Sequence, residues 1–313
     1  TFTMDALPGS PQIQNLIPTT FFKTDAWAAP WLGTIGAVFI FVSGMTYLEW
    51  RRRRAAAAGE GYGVAHTHEP EPQPDEKLPH PLLAILPLVV VIAGTILFKM
   101  LILRCYGASY ELRMAGMAKP IVTEISTVST IWAVEAALIV GILLAVVTAF
   151  PRVRAKFAEG TRTAIGGSLL ASMNTASEYG FGAVIAALPG FMLIQSALKA
   201  IPNPLINEAV TVTTLAGVTG SASGGLSIAL AAMADQFVAA AQAAQLPLEV
   251  LHRVASMASG GMDTLPHNGA VITLLAVTGL THKTSYKDIF AITCIKTVAV
   301  FVVIAVYYAT GLK

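Results

Sequence analysis

The hydrophobic positions of this chain fall into long blocks rather than the alternating or one-faced patterns of a water-soluble domain. Ala28–Trp50 is a run of 23 residues with a single charge, Glu49, at its end. At 1.5 Å per helical residue it matches a hydrocarbon core of about 30 Å. Pro81–Leu103, with Lys99 near its far end, and Ile131–Phe150, with Glu135 in its first turn, repeat the pattern. So does Ile289–Tyr308, whose one charge is Lys296. These four predict plain membrane-spanning helices, with Lys296 and Glu135 read as structural or interfacial.

Three further apolar segments differ, because each is interrupted near its centre. Thr163–Ala200 carries Ser-Met-Asn-Thr-Ala-Ser-Glu-Tyr-Gly-Phe-Gly at 172–182. Leu205–Ala244 carries Thr-Gly-Ser-Ala-Ser-Gly-Gly at 219–225, and Val250–Leu280 carries Ser-Gly-Gly-Met-Asp-Thr-Leu-Pro-His-Asn-Gly at 259–269. Small polar residues and glycine inside apolar arms predict helices that stop and restart, or re-entrant hairpins.

Between these blocks lie the charges. Arg51–Arg54 directly follow the first run, and Arg152, Arg154, Lys156 and Arg162 follow the third, so by the positive-inside rule both ends face the cytoplasm. The expected organisation is an unwound or re-entrant segment at 1–27, a spanning helix at 28–50 and a disordered cytoplasmic loop at 51–80. Two spans joined by an extracytoplasmic loop or surface helix follow at 81–150, then a transport core with interrupted helices and a final span at 163–313. The loop pair His66 and His68 has metal-ligand spacing, but it reads as part of a solvated low-complexity loop rather than a metal site.

Composition agrees. Apolar residues make up 55% and charged residues 12%, about half the charged share of a soluble domain, too few for a water-facing surface. The net charge of +2 is dispersed and offers nothing to nucleic acid. Cys105 and Cys294 are expected as free thiols. No secretory signal pattern opens the chain, which starts at Thr1 in a Pro- and Gly-rich stretch without helical period, so an upstream part is expected to be missing.

A helix broken within hydrocarbon leaves backbone groups that must be satisfied by protein or a water-filled cavity. Each half-helix that begins there presents NH groups and a positive dipole end, a cradle for an anion. Asn174, Thr175, Ser177, Ser221, Ser223, Thr264 and Asn268 are the hydroxyl and amide groups placed to bind such a guest. Glu178, Asp263 and His267 are the ionisable groups available to carry a coupled proton. Each motif has a plainer reading: Gly220-x-x-x-Gly224 is also the spacing of close helix packing, and Asn174–Gly182 and Asp263–Gly269 also suit loops between spans. Asp263 and His267, four apart, can simply pair with each other.

The chain resembles the gluconate:proton symporter (GntP permease) family of the ion transporter superfamily, and within it the branch associated with D-3-hydroxybutyrate. The resemblance rests on Ala6–Asn15, Asn174–Gly180, Gly220–Gly225 and, most specifically, Ser259–Gly269. It implies that this chain is the C-terminal part of an inverted-repeat transporter with a hairpin and a broken helix per repeat. It also implies that Ser10, Gln14 and Asn15 form the matching site of the first repeat, with a polar connecting turn as the competing reading. Where gluconate permeases carry a His-Val-Asn-Asp-Ser-type sequence, this chain has Leu-Pro-His-Asn-Gly, which favours a shorter monocarboxylate over a sugar acid.

The expectation is therefore an all-α integral membrane protein, multi-pass in a bacterial inner membrane. It imports a small hydroxy-monocarboxylate such as 3-hydroxybutyrate with a proton. A gluconate symporter and a sodium-coupled carboxylate carrier are the nearer alternatives. The sequence holds no H-E-x-x-H or G-x-S-x-G for an intramembrane hydrolase and no repeated filter for a channel. Expected partners are the organic anion, the proton and membrane lipid, with a homodimer admitted; no metal, cofactor or nucleic acid is expected.

Overall fold

The computed structural model describes residue 3 and residues 5–60, 80–112, 120–198 and 201–313. His66 and His68, with most of the 51–80 loop, lie outside the described residues. In chain order the elements are α1 (Ile13–Phe22), α2 (Pro30–Ala57), α3 (Pro81–Tyr106), β1 (Ser109–Leu112), β2 (Ile121–Glu124), α4 (Ile125–Thr148) and α5 (Phe150–Ala155). They continue as α6 (Phe157–Ala186), α7 (Pro189–Leu198), α8 (Pro204–Thr219), α9 (Ala222–Ala243), α10 (Leu248–Ser259), α11 (Gly269–Thr278) and α12 (His282–Thr310). A single 3-10 turn, Met262–Thr264, separates α10 from α11. Among the described residues five helices are long and apolar enough to cross a membrane. The chain is an all-α polytopic membrane protein.

It folds as two compact units, residues 73–171 and residues 1–72 with 172–313. In the smaller unit α3 and α4 pack along their length, with Gly94 against Ala137 and Gly141 against Val91. They are joined through the antiparallel β1–β2 ribbon, in which Ser109 pairs with Glu124 and Leu112 with Ile121. A loop or surface helix was the expectation for 104–129; the β-branched run Ile121-Val122-Thr123 instead favours a strand.

The larger unit is built around α8, α9, α10 and α12. Leu205, Val212, Leu215, Leu226, Leu230, Leu251, Val254 and Val303 are sealed inside it. α2 packs on α10 and α12, with Gly36 against Met257 of α10 and Val303 of α12, and Tyr47 and Arg51 of α2 bond Asp288 of α12 at 2.7 and 2.8 Å. α2 runs on through Arg51–Arg54 to Ala57, since Arg and Ala are strong helix formers, so the expected loop starts later than residue 51.

Two expectations need correcting. Residues 13–22, read as lacking helical period, form α1 despite Pro18. The missing Pro18 donor weakens the local ladder, and burial of Leu16 and Phe22 against α9 and α10 holds the helix instead. Residues 172–182, read as a break, lie within the uninterrupted helix α6. Isolated glycines cost only about 1 kcal/mol each in a helix. The chain actually turns at Ala187 and Leu188, ahead of Pro189, which opens α7 and restricts the residue before it.

Candidate functional site

The other two interruptions are true breaks. α8 ends at Gly220, whose φ of +66° is the left-handed conformation that terminates helices, and Ser221 N-caps α9 with its Oγ accepting from Gly224 N at 3.0 Å. α10 ends at Ser259, and after Gly260, Gly261, the 3-10 turn and Pro266, Asn268 N-caps α11. Asn268 Oδ1 accepts from Ala270 N at 2.7 Å and Val271 N at 3.1 Å. Both half-helix starts are thus already capped by their own side chains rather than bare.

The breaks are bonded to each other. Asn268 Nδ2 donates to the Gly220 carbonyl, and His267 Nε2 donates to the Gly217 carbonyl at 3.1 Å. Two carbonyls at the end of α8, those of Gly217 and Gly220, thus accept from side chains of the second break. Gly220 is required twice over, because a Cβ there would also lie 2.6 Å from the His267 ring.

Beside the second break stands a buried lysine. Lys296 Nζ lies 3.2 Å from Asp5 Oδ2 and 3.8 Å from Asp263 Oδ1. Its helix, α12, has 29 residues, with 14 on either side of Lys296, so this charge sits halfway along an element of membrane-crossing length. A Cβ on Gly260 would strike the Asp5 carboxylate and approach Lys296, so the C-terminal end of α10 closes on the pair. The negative end of that helix dipole favours the ammonium. Thr293, one turn before Lys296 on α12, pairs through its hydroxyl with Thr264 of the 3-10 turn. Tyr286 donates to the Thr264 carbonyl at 3.3 Å.

A second polar cluster anchors the N-terminal segment. Arg253, fully buried, donates to Asn15 Oδ1 at 3.0 Å and to the Ala28 carbonyl at 2.7 Å. His252 Nε2 donates to the same Asn15 Oδ1 at 3.3 Å, leaving Nδ1 to accept from Thr24 at 2.6 Å. Asn15 Nδ2 donates to the Ser10 and Ala26 carbonyls, both at 2.9 Å. Ser256 Oγ donates to the Asp5 carbonyl at 2.7 Å, which fixes Asp5 where Lys296 meets it.

The sequence-predicted residues therefore divide. Asp263, Thr264, His267, Asn268, Ser221 and Ser223 converge where the two breaks meet. Ser10 and Asn15 are buried in the anchoring cluster, and Gln14 keeps a buried Oε1 without a hydrogen bond among the described residues. Ser177 is exposed on α6; the side chains of Asn174, Thr175 and Glu178 lie outside the described residues. Lys296, read as structural or interfacial, is buried in the charge cluster, and Asp5, Thr293, His252, Arg253 and Glu208 were not singled out. A lysine in mid-span and an arginine inside an apolar segment were the available signals. Cys105 and Cys294 are free thiols.

An all-α polytopic fold with helices broken and joined around a buried charge cluster defines the class of membrane transporters. The chain is 54% identical, over its whole length and 68% of the relative, to the uncharacterized transporter YxjC of Bacillus subtilis (strain 168), and it belongs to that transporter's family. No family profile and no solved structure matches it.

Proposed function

We propose that the chain is the transport core of a secondary carrier that brings a small hydroxy-monocarboxylate such as 3-hydroxybutyrate across a bacterial inner membrane, driven by a proton. The observation that carries this reading is the meeting of two helix breaks beside a lysine at the midpoint of α12. Charge at that depth is costly and serves a function by default. The resemblance of Ser259–Gly269 to gluconate:proton symporters supports an organic anion, and the relationship to a transporter supports a carrier.

In this reading Ser221, Ser223, Thr264 and Asn268 supply hydrogen bonds to the substrate's carboxylate and hydroxyl. Asp263 is the best-placed proton carrier: it belongs to the charge cluster and its side chain is 17% exposed, against 4% for Asp5. His267 also stands at the junction, donating to Gly217.

The test is uptake of radiolabelled D-3-hydroxybutyrate by the full-length protein in proteoliposomes, under an imposed pH gradient, with gluconate, lactate and acetoacetate as competitors. The expected result is saturable, acid-driven uptake inhibited by lactate and acetoacetate more than by gluconate. Uptake driven by sodium alone, or by gluconate in preference, overturns the coupling or the substrate respectively.

A further inference from the structure

We infer that Glu208 of α8 is a proton-binding site, separate from Asp263, and that the proton it holds keeps α8 in its present packing and so keeps the two helix breaks joined. Neither statement depends on which substrate the carrier takes.

Glu208 is fully buried, and among the described residues neither carboxylate oxygen has a hydrogen-bond partner. Leu205, Val212 and Leu215, three before, four after and seven after it on the same face of α8, are sealed as completely. The polar side chains beside it are engaged elsewhere. Thr211 Oγ1 donates to Asn207 Oδ1 at 3.3 Å, and Asn207 Nδ2 donates to the Leu198 and Ile201 carbonyls at 3.0 and 3.1 Å. An ionised carboxylate stripped of water and offered no donor is far costlier to bury than the neutral acid. The packing around Glu208 is therefore that of the protonated form.

No neighbouring charge offers a way out. The elements packed against α8 are α7, α9, α10, α12 and the 3-10 turn. α7 carries no ionisable residue, and Asp235 of α9 is exposed. On α10, Glu249 pairs with Lys313, His252 bonds Thr24 and Asn15, and Arg253 bonds Asn15 and the Ala28 carbonyl. Asp263 of the 3-10 turn and Lys296 of α12 are paired with each other. Farther along α12, Asp288 pairs with Arg51, His282 donates to the Pro266 carbonyl, and Lys283 and Lys287 are exposed.

When the acid O–H bond breaks, the proton passes to water and the electron pair stays on the carboxylate. That anion needs water, which reaches it only if α8 shifts. Gly217 and Gly220 end the same helix, nine and twelve residues on, about 13 and 18 Å along its axis. Their carbonyls hold His267 and Asn268 of the second break. A shift of α8 therefore pulls on both bonds, and loss of the Glu208 proton loosens the junction.

Two measurements on the full-length protein in lipid nanodiscs, both without substrate, test this. The first is infrared spectroscopy of wild type, Glu208→Gln and Glu208→Leu. At neutral pH the wild type is expected to show the carbonyl stretch of a protonated carboxylic acid in apolar surroundings, and both variants are expected to lack that band. The second is labelling of Ser223→Cys in a background lacking Cys105 and Cys294, with Glu208 present or replaced by Gln. The ratio of the two rates cancels the titration of the thiol itself. It is expected to rise with pH by up to about tenfold per unit, in step with loss of the infrared band, as one linked proton requires. Identical carboxylic-acid bands in wild type and both variants overturn the proton site. A ratio that stays flat with pH overturns the link to the breaks. Since neither measurement uses a substrate, failure of the proposed transport reaction would leave both results standing.

Discussion

Asn15 of α1 and Arg253 of α10 are joined by a 3.0 Å hydrogen bond in which the guanidinium donates to Asn15 Oδ1, tying residues 238 positions apart. Through Asn15 the bond also fixes the Ser10 and Ala26 carbonyls, and so the segment that carries Asp5. Arg253→Met is expected to destabilise the protein by about 3–5 kcal/mol, because it strips donors from several buried carbonyls. Thermal unfolding in detergent checks this; an unshifted midpoint contradicts the anchoring role.

Gly220→Ala adds a methyl group at positive φ and against the His267 ring. The expected loss is about 1–3 kcal/mol, with part recovered in Gly220→Ala/His267→Ala. A double-mutant cycle read by thermal unfolding should show a coupling energy above about 0.5 kcal/mol. Strict additivity would mean that the two breaks do not press on each other.

The Arg51–Asp288 pair is partly exposed, and Tyr47 shares the same carboxylate. Asp288→Asn is expected to lower stability by only about 1 kcal/mol, and by less in high salt. Denaturation at two ionic strengths measures both quantities.

Glu208 is fully buried and, among the described residues, neither carboxylate oxygen has a hydrogen-bond partner. Glu208→Gln preserves its shape and removes an ionisable group from surroundings that offer it nothing. The variant is expected to unfold at the wild-type temperature or above. A large loss of stability would show that the carboxylate has a partner essential to the fold.

Much of this architecture was legible in the sequence, and the failures have physical causes. The spans near 28–50, 81–103, 131–150 and 289–308 follow from uninterrupted apolar length, which only a helix satisfies in lipid. The breaks at 219–221 and 259–268 follow from Gly220, Gly260, Gly261 and Pro266, each of which acts on the backbone locally. Residues 172–182 have a similar polar content and contain Gly180 and Gly182, yet α6 runs through them, because neither polarity nor an isolated glycine is enough to end a helix. Lys296 was visible as a lone charge in a span, yet its role depends on Asp5, 291 residues away in sequence, and no local pattern reports such a contact. Asn15 was legible as an important polar residue but not as a structural one, because the groups that bond its Oδ1, His252 and Arg253, come from α10.

The most direct test of a substrate site at the joined breaks uses single cysteines in a background lacking Cys105 and Cys294. Ser223→Cys, Thr264→Cys and, on α6, Ser177→Cys are labelled with a small thiol reagent, with and without D-3-hydroxybutyrate. The account predicts that substrate slows labelling at residues 223 and 264 and leaves residue 177 unaffected. Protection at residue 177 with none at the other two would contradict it.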